Sequence, residues 1–192
     1  AISIVRAHFF GTGPATVLPG GLHGFVKTRS DLKTTDIQFL FRGAPGNAHM
    51  WFPGIRRRYE DGFGLRPVLL HPESRGEVLL RSANPFDKIR IRQNFLDVPQ
   101  DLETLRTGVK LAREMMHQPA MDAFRGVETA PGPAIKTDDE IDEWIRRMAV
   151  TAHHPSCTVP MGDGDDAVLD TECRVKGAEN LRVIDASAMP DL

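Results

Sequence analysis

The sequence predicts an α+β fold, a mainly antiparallel sheet with helices on one face, followed by a short C-terminal strand. Three features point there. Apolar residues alternate with a period of two in several short runs before residue 95. The later runs are joined by turns, whereas a parallel pair needs a crossover of about a dozen residues or more, so these neighbours are antiparallel. From residue 101 onward the apolar period becomes helical. Strands that precede helices, rather than alternating with them, define the α+β class.

The elements follow in order. Gly and Pro punctuate the first sixty residues at 11–14, 18–21, 42–47 and 52–54, which forbids long helices and predicts loops between short strands. Within this stretch Asp36–Arg42 alternates, with Ile37, Phe39 and Phe41 on one face. Leu65–His71, Glu77–Ser82 and Lys88–Gln93 are the next strand candidates, separated by turn signals at Pro72–Gly76 and Asn84-Pro85. In Lys88–Gln93, Ile89 and Ile91 face one way, and Lys88, Arg90 and Arg92 the other. Asp101–His117 then places Leu102, Leu105, Val109, Ala112 and Met116 on one helical stripe. Pro99 suits its first turn and Pro119 enforces its end. A second helix is signalled by Thr137 followed by Asp138, Asp139 and Glu140. The Thr hydroxyl and the Glu carboxylate can satisfy orphan amides reciprocally, and the three acids complement the helix dipole. Its expected core stripe is Ile141, Trp144, Ile145 and Met148. Asn180–Ile184, after a turn at Gly177, reads as the closing strand.

Composition excludes several classes of function. The 192 residues carry 24 Lys+Arg against 26 Asp+Glu, a net charge of −2, so there is no basic excess for a nucleic-acid backbone. No apolar run approaches the ~20 residues needed to span a bilayer. Two cysteines, Cys157 and Cys173, are too few for a disulfide scaffold. The first ten residues show neither a basic n-region followed by a long apolar core nor a cleavage site, and the start at Ala1 and the stop at Leu192 are both expected to be cuts through a longer protein. The expected location is cytoplasmic, with a peripheral place on the inner membrane as the alternative.

Reactive side chains are densest in Thr151–Thr158, just beyond the Trp144 helix, where Pro155 breaks helical structure. His154 directly precedes that proline, which biases it to an extended backbone and fixes its direction. An imidazole titrates near neutrality, so His154 is a candidate proton acceptor. From residue types alone, adjacent histidines are more often hydrogen-bonded loop residues than catalysts. His153, His154, Cys157 and Cys173 offer zinc-ligating atoms, but at a spacing that matches no common zinc pattern. The run Gly162–Asp166 resembles a calcium loop only loosely, with its Gly misplaced and no Glu at the closing position, and reads as a solvated acidic turn. No G-x-G-x-x-G lies between a strand and a helix, and Ser156 lacks a nucleophile elbow.

Several separated stretches, taken together, resemble one family. They are His71–Val78 with Arg81–Pro85, Asn94–Leu96 with Asp101-Leu102, Gly108–Arg113, Phe124–Gly126, His154–Thr158 with Met161-Gly162, Ala167–Asp170, Arg174–Gly177 and Asn180–Pro190. In order and spacing, from about residue 9 onward, they resemble the C-terminal half of the glucose–methanol–choline (GMC) oxidoreductases, choline-dehydrogenase-like members in particular. The resemblance implies an FAD-dependent enzyme that oxidises an alcohol to a carbonyl by hydride transfer to flavin N5. It maps the family's catalytic histidine onto His154, as general base. It makes His153 a positioning or packing residue and Cys157 a structural one. It brings Asp185 and Ala186 past the ribityl–phosphate side of the flavin, where backbone amides would hold the cofactor. Residues 1–167 would be the substrate-binding domain and 168–192 a returning piece of the FAD-binding domain.

The resemblance also implies what lies elsewhere. The dinucleotide-binding glycines would precede Ala1, and the second catalytic group, a His or Asn, would follow Leu192. The isolated chain is therefore expected to bind FAD weakly or not at all and to be inactive. The substrate would be a primary alcohol, choline or another, and the electron acceptor a quinone, dye or oxygen. Trp51, Phe52 and Tyr59 are candidate walls for a quaternary ammonium, although such residues in a Pro/Gly-rich loop more often serve ordinary packing. No metal is expected, and the oligomeric state is left open. The alternatives are a non-catalytic binding module of the same fold and a small zinc-binding protein.

Overall fold

The computed structural model describes residues 2–13, 16 and 20–192. Its elements are α1 (Ile2–Phe10), β1 (Leu22–Val26), β2 (Ile37–Arg42), β3 (Gly64–Leu69), β4 (Glu77–Leu79), β5 (Arg90–Arg92), α2 (Pro99–Met116) and α3 (Asp138–Met148), with short 3-10 turns at Pro119–Met121 and Ala186–Ala188. The class is α+β, as expected. The strands form two separate sheets, β1-β2-β3 and β4-β5. The chain divides into two compact units, residues 1–68 with 105–136 and residues 69–104 with 137–192.

In the first unit β2 is the central strand. β1 pairs with it antiparallel, Leu22 opposite Phe41 and Val26 opposite Ile37. The alternation read from Asp36–Arg42 is real: Ile37 and Phe39 are fully buried while Gln38 and Leu40 are half-buried. The C-terminal two-thirds of α2 covers this face. A Cβ built on Gly108 would lie 3.0 Å from Pro67 Cβ and 3.3 Å from Ile37 Cδ1, so glycine lets the helix settle on the sheet. Val109 and Ala112 are buried on the expected stripe. Arg113 then ties the following loop back, donating to Glu128 Oε1 at 2.9 Å and to the Gly132 carbonyl at 3.1 Å.

Two elements of this unit depart from expectation. Ile2–Phe10 is helical although only loops and short strands were foreseen before residue 60, and β1 was not foreseen at all. The helix occupies nine residues with no Gly or Pro and ends just before the first breaker, Gly11. β1 is only five residues long, and Gly24 at its centre erases the alternation.

In the second unit β4 and β5 form an antiparallel pair, Val78 opposite Ile91, with Arg92 and Glu77 joined by a 2.7 Å ion pair. Both are shorter than the runs Glu77–Ser82 and Lys88–Gln93 suggested. Gly76 sits where the partner backbone passes: a Cβ there would meet the Arg92 carbonyl oxygen at 2.5 Å and that of Gln93 at 3.0 Å. Gly76→Ala is expected to force these strands apart and cost about 1–3 kcal/mol, the range for overpacking, seen as a lower urea midpoint.

Asp101, only 2% exposed, lies in the first turn of α2. Its carboxylate accepts the amide N–H of Glu73 at 2.8 Å and of Ser74 at 2.9 Å, while Ser74 Oγ accepts the Val98 amide at 3.0 Å. A buried charge is thereby satisfied, and the turn before β4 is fixed to the helix.

α3 opens as the sequence indicated. Thr137 Oγ1 accepts the Glu140 amide at 3.3 Å and Glu140 Oε2 accepts the Thr137 amide at 2.9 Å. Thr137→Ala is expected to cost about 1 kcal/mol through loss of this cap, lowering the urea midpoint at unchanged m-value. Ile141 and Ile145 are buried, but Met148, at 56% exposure, is not part of the core stripe. The helix ends there, and Ala149 turns extended with ψ 130°.

Asn180–Ile184 is not a strand. Among the described residues it is bridged only once, Arg182 to Arg174, through the bonds Val175 N→Leu181 O and Val183 N→Cys173 O. Cys173 and Asn180 both take left-handed backbone angles, φ 61° and 58°, and these bends keep the pairing from extending.

Candidate active site

The His154 loop begins where α3 stops. The Ala149 amide closes the helix on the Ile145 carbonyl at 2.7 Å, and the chain leaves in an extended conformation. Two non-glycine residues with positive φ flank the next turn, His153 at 66° and Cys157 at 62°. Such angles cost energy and persist only where the surroundings hold them. The His153 amide donates to Thr151 Oγ1 at 3.0 Å. Between the two bends, Pro155 restricts His154 to extended angles, and the His154 side chain is exposed.

Beyond the bend the loop is fixed to a distant part of the sequence. The amides of Cys157, Val159 and Met161 donate to the carbonyls of Ala186, Ser187 and Ala188 at 3.2, 2.9 and 3.0 Å. This pairing brings the His154 loop and the Asp185-Ala186 turn together. Asp185 caps the short 3-10 turn: its carboxylate accepts the Ser187 hydroxyl and the Ser187 amide, the latter at 2.8 Å. These bonds, the hydroxyl first and the amide second, hold the Asp185 pKa below its ordinary 3.8, so the group is an anion at neutral pH. Among the described residues, the amides of Asp185 and Ala186 have no acceptor, and both residues are exposed.

Leu169 is bonded to the segment that follows the loop. It is fully buried, its amide donates to the Pro160 carbonyl at 3.1 Å, and its carbonyl accepts the Gly162 amide at 3.0 Å. It bridges to Met161 on one side and Val175 on the other. Leu169 lies in one of the stretches that carry the family resemblance, but nothing in its local pattern marked it as buried. Asp101 was legible as a helix-start residue, but the two amides it holds lie 27 and 28 positions away and leave no local trace. Ser156 Oγ is buried and unpartnered among the described residues.

Among the described residues no three His, Cys, Asp or Glu side chains converge as metal ligands, so His153, His154, Cys157 and Cys173 do not assemble the zinc site held open as an alternative. Gly162–Asp166 is a turn closed by Ala167 N→Gly164 O at 3.2 Å and by Lys176 Nζ on the same carbonyl at 3.0 Å. The Trp51 ring already faces a cation, Arg58, at 5.9 Å, and the Tyr59 ring meets His49 edge-on at 5.6 Å.

Oxygen-dependent choline dehydrogenase of Vibrio vulnificus (strain YJ016) is 44% identical over 170 residues, covering 88% of this chain and 30% of that protein. The protein of the same name from Pseudomonas entomophila (strain L48) is 40% identical over 182 residues, 95% of this chain and 32% of its own length. The chain thus spans about a third of these relatives. Among solved structures, pyridoxine 4-oxidase from Mesorbium loti superposes with TM-score 0.75 at 28% identity, over 88% of this chain and 33% of its own. A formate oxidase variant from Aspergillus oryzae RIB40 shares the fold, with TM-score 0.81 at 24% identity over 100% of this chain and 38% of its own. The GMC oxidoreductase family model matches residues 72–192, a span that contains both the His154 loop and the turn it is bonded to; the chain belongs to that family.

Proposed function

We propose that this chain is the substrate-side part of an FAD-dependent oxidoreductase acting on CH–OH groups, in which His154 is the general base for oxidation of a primary alcohol to a carbonyl. In this reading residues 1–167 are the substrate-binding domain and 168–192 a returning piece of the FAD-binding domain. The supporting observation is the backbone pairing of residues 157–161 with 186–188, which joins the candidate base to the candidate cofactor turn. The exposed amides of Asp185 and Ala186 are donors without acceptors among the described residues, and they suit the ribityl or phosphate oxygens of FAD. The capped Asp185 carboxylate is directed at Ser187 and does not compete for them.

When bound, FAD supplies the hydride acceptor. His154 takes the hydroxyl proton at a ring nitrogen, and this raises the electron density on the substrate oxygen and weakens the adjacent C–H bond. The resulting imidazolium stays beside the alkoxide and stabilises it. The exposure of His154 leaves its ring open to substrate. Choline is the first substrate to test, since the relatives above are named for it, and oxygen the first acceptor. With Trp51 stacked against Arg58, its ring is not a free wall for a quaternary ammonium.

The test is a panel of primary alcohols offered to the complete protein, with oxygen and with a dye as acceptors. Oxidation of at least one, with flavin reduction under anaerobic conditions, is expected. Failure to reduce the flavin with any alcohol overturns the assignment.

A further inference from the structure

Arg75 joins two stretches of the second unit that lie 116 positions apart in the sequence. It sits in the turn that precedes β4, and that turn is held from several sides. The buried Asp101 carboxylate accepts the Glu73 and Ser74 amides, and Ser74 Oγ accepts the Val98 amide. Asn94 Nδ2 donates to the Arg75 carbonyl at 3.1 Å. The bracing extends to the arginine side chain. Nη1 donates to the Pro72 carbonyl at 2.5 Å, which aims Nη2 at Asp191 Oδ1, 3.3 Å away.

Asp191 lies three residues beyond the Ala186–Ala188 turn, and Pro190, with its fixed φ, stiffens the link between them. The carbonyls of that turn accept the amides of Cys157, Val159 and Met161, which follow His154. A continuous run of bonds therefore leads from the first turn of α2, through residues 73–75 and Asp191, to the His154 loop. Both side chains of the ion pair are largely exposed, at 61% and 78%, so the pair adds little to global stability. Its effect is on where the turn rests. The bonds from 157–161 tie turn and loop to each other, and Arg75 ties the turn to the bracing built on Asp101.

We propose that Arg75 is a positioning residue for the reaction: through Asp191 it holds the Ala186–Ala188 turn, and with it the His154 loop, to the start of α2. The role rests on the reading of His154 as general base. Its test is a double-mutant cycle in the complete protein, with Arg75→Ala, Asp191→Ala and both together. Hydrogen exchange at the amides of Cys157, Val159 and Met161 should quicken about two- to fivefold in each single variant, the range an exposed ion pair can supply, and no further in the double. The α3 amides should exchange as before. In all three variants kcat should fall about threefold or more, because the base is less well placed. The pH limb of the free base should remain, since the imidazole is still present. Unchanged exchange at the loop in both single variants overturns the proposal. So does an additive loss in the double variant, which would show that the two residues act separately. Equal quickening in α3 also overturns it, by making the pair a general structural contact, and altered exchange with parental kcat removes the positioning role. The catalytic reading fails by a different result, parental turnover in His154→Ala, and the exchange cycle still reports on the Arg75 pair in that event.

Discussion

His154→Ala in the complete enzyme is expected to lower kcat for alcohol oxidation by about 10²–10⁴-fold, the usual contribution of a positioned general base. The expectation rests on the nature of the loss. Without the imidazole, the hydroxyl proton must go to water, and no positioned cation remains to stabilise the alkoxide. The fold should tolerate the change, since the His154 side chain is exposed and has no hydrogen-bond partner among the described residues. The flavin spectrum should therefore persist while turnover falls. The pH profile should also lose its limb for the free base, and added imidazole should restore part of the rate. Near-normal turnover would remove His154 from the role, and loss of bound flavin would make it a structural residue of the cofactor site. His153→Ala separates the two histidines: as a positioning residue it should lower kcat less than His154→Ala and leave the pH limb in place.

How far the sequence discloses such a site depends on the range of the interactions involved. α2 and α3 were legible because their signals are local: an apolar stripe of period 3.6, Pro99 and Pro119 at the ends of one, and the Thr137–Glu140 box at the start of the other. β2 was legible for the same reason, since the buried Ile37 and Phe39 alternate with more exposed neighbours. β1 was lost because a five-residue strand with a central glycine carries almost no periodicity. Asn180–Ile184 misled in the opposite way. Its residues suit a strand, but left-handed angles at Cys173 and Asn180 confine the pairing to one bridge, and no residue type announced them. At the site, His154 stood out by its place before Pro155 and by family resemblance. The bonds from 157–161 to 186–188 did not, because backbone groups are the same in every residue.

Leu169→Ala is expected to destabilise the second unit by about 3–5 kcal/mol, in the upper part of the range for a leucine whose side chain is fully enclosed. The cost has two parts, lost transfer energy and the cavity left behind, and the second is large where the surroundings cannot collapse. Here the local backbone is constrained: Leu169 is bonded through its backbone to Pro160 and Gly162 and bridged to Met161 and Val175, which limits how far this segment can move to fill the space. Val168→Ala is the internal control. The neighbouring side chain is 41% exposed, and its truncation should change stability by no more than about 0.5 kcal/mol. Urea denaturation gives both values. Hydrogen exchange then distinguishes a general loss of stability from loosening of the site. If Leu169 supports the His154 loop, the amides of Cys157, Val159 and Met161 should lose more protection than those in β2, which belongs to the other unit. Equal loss at both places would mean that Leu169 contributes to cohesion without specially holding the loop. Unequal loss, together with a lower kcat in the complete enzyme that still contains His154, would make this leucine the physical support on which the base depends.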